Sequence, residues 1–140
     1  MRYMIDTNIF VYMTQDISSL QHDIRELLSD YSNTLHISSE SVKELIVAYN
    51  SKGLLAKKWK TAEEMVAAIE DEYYIKILPV NKEHMKTYSR LSINNIENHK
   101  DPSDHVIISH AITNKLPLIS SDRKFTFYTD QGLDLVYNER

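Results

Sequence analysis

Four acidic residues stand where apolar runs give way to polar ones. They are Asp6 in "MIDTN", Glu44 in "SESVKEL", Asp104 in "DPSDHVIISHAI" and Asp122 in "PLISSDRKF". A lone carboxylate at the edge of a core is costly to desolvate. Four that converge repel one another and call for a cation. An oxygen-only ligand set suits magnesium or manganese, with several waters kept on the metal. The chain has no cysteine, which excludes thiolate metal sites, cysteine nucleophiles and disulfides. Metal-free acid–base chemistry would instead need histidines. The chain has six: His22, His36, His84, His99, His105 and His110. None falls in an HExxH pattern, and the spacing of His105 and His110 does not put them on one helix face. Most of them read as surface or partly buried residues. His105, adjacent to Asp104, is the exception.

Each acid has an ordinary structural reading as well. Asp6 can end a strand in an Asx-turn. Asp104 suits a first helical turn, behind Asp101 as N-cap and Pro102 at the helix start. Glu44 suits a solvated helix surface. Asp122 suits a turn, or the cap of a short helix containing "RKFTFY". The joint pattern gains its weight from the elements that must position it. Five short apolar runs read as strands: "RYMI" near the start, "LHIS" at 35–38, "IKILPV" at 75–80, "PLIS" at 117–120 and "LDLVY" at 133–137. Helical periodicity appears at about 21–32, 40–52, 61–73, 81–93 and 103–114. Strands alternating with helices predict an α/β fold, a parallel sheet covered on both faces. Such sheets bind ligands beyond the carboxyl ends of their strands, and Asp6 and Asp122 both fall at such ends.

The chain of 140 residues fits one domain, residues 1–140. Its apolar fraction is 42% and its mean hydropathy −0.40, values of a soluble globular protein. No apolar stretch approaches the roughly 20 residues of a membrane span. "MRYMIDTN" puts an aspartate where a signal peptide needs unbroken apolar residues, so a cytoplasmic location is expected. A net charge of −4 argues against unspecific coating of nucleic acid, but not against a nuclease whose acids are neutralised by metal.

With "MIDTNIFVY", "ISSESVKEL", "DPSDHVIISHAI" and "LISSDRKFTFY" in this order over nearly the whole chain, the sequence resembles the PIN-domain ribonucleases. Among them it is most similar to the VapC-type toxins of bacterial type II toxin–antitoxin pairs. The resemblance implies a PIN-like three-layer α/β/α sandwich with a five-stranded parallel sheet. It assigns the metal-site positions to Asp6, Glu44, Asp104 and Asp122. It gives Asn8 and Ser120 supporting roles through hydrogen bonds, and leaves Asp101 either helping the metal or only capping the helix. His105 stands where similar toxins often carry arginine, and Ser103 replaces a frequent aromatic.

The expected activity is therefore Mg²⁺- or Mn²⁺-dependent endoribonuclease cleavage, with water activated at the metal. Asp6 and Asp104 are the expected direct ligands. Glu44 would orient water, and Asp122 would hold a second, weaker ion. Lys43, Arg123 and Lys124 lie near these acids in sequence and are candidates for substrate phosphates, as is His105. The resemblance also implies a homodimer, a cognate antitoxin whose tail enters the active-site groove, and promoter DNA contacted only through that antitoxin. A receiver domain would want paired acids after the first strand, and a dehalogenase-like phosphatase an Asp-x-Asp where "DTN" stands. The rival kept is a PIN-fold binding module of weak catalysis that holds RNA or a protein partner. "KKWK" at 57–60 reads as a turn whose indole packs on a neighbour, with base stacking as the alternative. Leu54, Leu55 and Trp59, if exposed, would suit an antitoxin groove.

Overall fold

The computed structural model describes residues 1–140, the side chain of Leu54 excepted. Five strands, β1 (Arg2–Ile5), β2 (Thr34–Ser38), β3 (Ile75–Leu78), β4 (Leu118–Ser120) and β5 (Leu135–Tyr137), form one sheet in the order β3-β2-β1-β4-β5. All pairings are parallel. The seven α-helices among the described residues are α1 (Thr7–Gln15), α2 (His22–Ser29), α3 (Ser39–Asn50), α4 (Leu54–Lys58), α5 (Ala62–Asp71), α6 (Lys82–Arg90) and α7 (Pro102–Asn114). Two 3₁₀ segments, Ile17–Ser19 and Arg123–Gln131, complete the set.

Strand alternation sorts the core into two halves, because successive side chains point to opposite faces. Ile5, Leu35, Ile37, Ile75 and Ile119 pack with α1 to α5 through Ile9, Phe10, Ile24, Val42, Leu45, Met65 and Ile69. Met4 and Leu118 face the other way and pack with Ile107, Ile108 and Ala111 of α7 and with Phe125 and Tyr128. Helices thus cover both faces, as the parallel sheet requires. The chain winds outward through β1, β2 and β3, then returns to the far side of β1 for β4. That reversal puts the topological switch point between β1 and β4, beside Asp6 and Ser120.

All five expected strands form: β1 as read, β2 longer by Thr34, and β3, β4 and β5 with trimmed ends. Two helices were not anticipated. In α1, "TNIFVYMTQ" gathers its apolar residues into one unbroken run, IFVYM, that shows no helical period, but Asp6 caps it by accepting from the Thr7 N–H, and Ile9, Phe10 and Tyr12 are buried. In α4, only five residues carry the pattern.

Several expectations are corrected. Leu55 and Trp59 are buried, 4% and 8% exposed, and line no groove; Leu54 lies outside the described side chains. The Trp59 indole packs on neighbours as expected, stacking on Phe10 (ring centroids 6.3 Å) and meeting Tyr73 edge-on, so only the base-stacking alternative for "KKWK" falls. The histidines are not mainly superficial. His36, His84, His99, His105 and His110 are all buried, and of the six only His22 is exposed, paired with Glu26.

Candidate active site

The acids are delivered to one edge of the sheet by separate elements. Asp6 leaves the end of β1, and its backbone N–H donates to the Ile119 carbonyl of β4. Its carboxylate is 5% exposed and pinned at both oxygens: Oδ1 accepts from Thr7 N (2.8 Å) and Oδ2 from Ser120 Oγ (2.8 Å). Ser120, the last residue of β4, also accepts from the Asp122 N–H (3.1 Å). Asp122 caps the 3₁₀ segment behind it, its Oδ1 accepting from Lys124 N (2.9 Å). Glu44 lies in the second turn of α3 and accepts from the Thr7 hydroxyl. Asp101 caps α7 by accepting from Ser103 N and Asp104 N. Asp104, in the first turn of α7, meets the His99 imidazole, with Nε2 2.9 Å from Oδ2.

Two trios of ligand atoms result, each mutually within 4.8 Å: Glu44, Asp101 and Asp104, and His99, Asp104 and Asp122. Asp104 belongs to both. Burial and mutual repulsion show in the acidities. Desolvation first, then the Asp104 charge, pushes Asp6 up to about 7. Desolvation, then the charges of Asp101, Glu44 and Asp122, pushes Asp104 up to about 8, with Lys124 opposing. Glu44 is raised, chiefly by desolvation. Acids held this close and this dry favour either a proton or a cation. A mainly carboxylate donor set fits a hard divalent ion, with one imidazole within reach.

Of the supporting residues, Ser120 bridges Asp6 and Asp122, and Asp101 caps its helix while its carboxylate faces Asp104. Asn8 is exposed in the first turn of α1, and its side chain makes no hydrogen bond among the described residues; Thr7 makes the link to Glu44 instead. Lys43 pairs with Glu40 and donates to Ser103 Oγ (3.2 Å) at the rim of the site. Arg123 reaches out to Glu97. Lys124 is half-buried, and its positive charge is close enough to oppose the upward shift of the Asp104 carboxyl. His105 is a correction. Helical geometry turns it inward, away from Asp104; it is 4% exposed, its Nε2 donates to the His99 carbonyl (2.9 Å), and Tyr88 OH lies 3.3 Å from Nδ1. It cannot reach a substrate.

His99 and Thr7 are the residues that sequence reasoning missed. Thr7 stood inside the quoted "MIDTN". His99 lies five residues before Asp104 in a stretch without periodicity, and nothing in the sequence marked it as inward-facing.

The chain belongs to the PIN domain family, whose model matches residues 3–129. No curated protein sequence matches it. Solved structures share the fold. The chain is similar to a chain of the VapBC2 complex of Rickettsia felis, solved bound to a DNA fragment from its promoter (23% identity, 99% of this chain and 100% of that one, TM-score 0.74). It is also similar to chains of VapBC-1 of nontypeable Haemophilus influenzae (24% identity, 98% of each chain, TM-score 0.67) and of DNA-bound VapBC of Salmonella typhimurium (20% identity, 98% of each, TM-score 0.68).

Proposed function

We propose that residues 1–140 form one nuclease domain, a Mg²⁺- or Mn²⁺-dependent endoribonuclease that serves as the toxin of a toxin–antitoxin pair. The observation that carries this reading is the convergence of Asp6, Glu44, Asp101, Asp104 and Asp122 at the switch point, with the Asp6 and Asp104 carboxyls raised to about 7 and 8. Asp6, Glu44, Asp104 and Asp122 would hold the metal, with the Asp101 carboxylate beside Glu44 and Asp104. A bound divalent ion supplies water activation and offsets charge on the phosphate. The protein's own part is positional. Ser120 and the Thr7 N–H fix the Asp6 carboxylate, and the Thr7 hydroxyl fixes Glu44. Lys124 places a positive charge beside the acids and Lys43 another at the rim, where substrate phosphates would lie. Arg123 extends that cationic edge.

The toxin role is supported by similarity to VapBC complexes. A cognate antitoxin would seat its tail in the groove lined by Lys43, Glu44, Val47, Ala48, Ser51 and Ser103, where Val47 is 64% exposed. Similarity to complexes solved with DNA supports promoter DNA held through the antitoxin, and the homodimer is proposed from the sequence resemblance alone. No described helix is long and apolar enough to cross a membrane, and the cytoplasm is the proposed site of action. The exposed Val47 groove also favours a second reading, a binding module of weak catalysis.

Purified protein, freed of antitoxin, should cut bulk cellular RNA with Mg²⁺ or Mn²⁺ and not with chelator. An Asp6→Asn/Asp104→Asn double variant should lose at least about a hundredfold, the scale of removing a preorganised charged group from a transition state. Metal binding without any cleavage would favour the binding module.

A further inference from the structure

The loop between α6 and α7 holds a histidine with no surface role. His99 is 2% exposed and packed among rings: His105 edge-on at 4.9 Å, Phe125 at 5.6 Å and Tyr128 at 5.6 Å. Its backbone is tied at both ends, His99 N donating to the Asn94 carbonyl and the His99 carbonyl accepting from His105 Nε2. The ring can neither leave nor turn without breaking this packing.

Its two nitrogens lie in a line of hydrogen bonds. The Asn94 backbone N–H donates to Tyr128 OH (3.0 Å), Tyr128 OH lies 2.9 Å from His99 Nδ1, and His99 Nε2 lies 2.9 Å from Asp104 Oδ2. The backbone N–H can only donate, so the Tyr128 oxygen accepts and its own proton is free for Nδ1. With a cation bound, Asp104 is ionised and has only acceptor oxygens, so the proton facing it then lies on Nε2. With Nδ1 occupied by the hydroxyl and Nε2 carrying a proton, neither nitrogen has a lone pair for a metal.

We propose that His99 is a positioning residue. It holds one oxygen of Asp104 and leaves the other free for a cation, which Glu44 and Asp101 would approach as well, while Tyr128 sets its tautomer. The inference rests on the metal-dependent reading above. Asp104 stands against Glu44 and Asp101 on one side and feels the Asp122 charge on the other, so its rotation would disturb the whole acid cluster. Partners that orient a metal ligand from behind usually matter about 10- to 100-fold in metal affinity.

Two substitutions separate positioning from packing. His99→Gln keeps an amide N–H at about the reach of Nε2. His99→Asn can reach Tyr128 but falls short of Asp104. Mn²⁺ affinity is measured by titration on the full chain, with thermal unfolding in parallel. His99→Asn should bind Mn²⁺ at least about tenfold more weakly, on the scale of lost outer partners, and His99→Gln within about threefold of wild type. Equal affinity in His99→Asn and wild type would overturn the proposal while leaving the metal site standing. Equal losses in both variants, tracking their melting temperatures, would reduce His99 to a packing role and overturn it as well. A wild type that binds no Mn²⁺ would remove the metal-dependent reading and this inference with it. Should both variants fail to fold, the ring ¹⁵N spectrum of Mg²⁺-saturated wild type decides: a protonated Nε2 supports the proposal, and a protonated Nδ1 or a nitrogen shifted by metal refutes it.

Discussion

Removing one acid should make the metal-free protein more stable, not less. The perturbation is Asp104→Asn. Burial and the neighbouring carboxylates carry Asp104 from 3.8 to about 8 and Asp6 to about 7. Each raised acid binds its proton in the folded state before it does in the unfolded one, so stability falls as pH climbs from 3.8 through the folded value. Ionising Asp104 alone would cost folding on the order of 5 kcal/mol above pH 8. Part of that cost is desolvation, which an amide also feels in smaller measure, and part is repulsion shared with Asp6. The amide oxygen can still accept from His99 Nε2, so no new buried donor is stranded. We expect the variant to gain about 4 kcal/mol relative to wild type between pH 5, where Asp104 is still protonated in the folded state, and pH 8 in chelator. Urea unfolding at the two pH values measures it. Added Mg²⁺ should reverse the order, because ligand binding stabilises the wild type by mass action and the variant much less. A variant less stable than wild type in chelator at pH 8, or a difference indifferent to pH, would refute the electrostatic account.

Other consequences concern residues around the site. Ser120→Ala strips a hydrogen bond from the Asp6 carboxylate and an acceptor from the Asp122 N–H; it should cost about 1–3 kcal/mol in urea unfolding and weaken metal binding. His105→Ala should destabilise by about 2 kcal/mol or more while leaving the KM for RNA unchanged, since the ring is buried and bonded to the His99 carbonyl and close to the Tyr88 hydroxyl. His110 lies against His84, ring centroids 3.9 Å apart, with Nδ1 2.8 Å from Ser38 Oγ; burial, then the His84 charge, lowers it from 6.5 to about 4. Its neutral form supports the fold above pH 6.5, and that support is lost as pH falls towards 4, so His110→Phe should flatten the acid limb of the stability curve.

The fold was largely legible because each strand is a compact apolar run and each long helix repeats on one face. "RYMI" and "PLIS" needed no partner to be read as strands, and "DPSDHVIISHAI" carries its own cap and proline. The shortfalls have physical causes. α1 gathers its apolar residues into one unbroken run that shows no period, and α4 is a single turn or so. "KKWK" reads as a turn whose indole packs on a neighbour, and the structure agrees on the packing: its lysines stay exposed and the indole meets Phe10 and Tyr73.

The sequence by itself determined which side chains could do chemistry here. It holds acids at strand and helix ends, no thiol, and the serine and threonine that neighbour those acids. It could not determine which of them meet, because that depends on how β1, β4, α3 and α7 stack, over separations such as the 114 residues between Asp6 and Ser120. Nor could it say which histidine belongs to the site. His105 is adjacent to Asp104 in the chain, but helical rotation turns it into the core. His99 is five residues away, in a loop whose path is set by Tyr128 and Asn94, and only folding brings its Nε2 to the carboxylate.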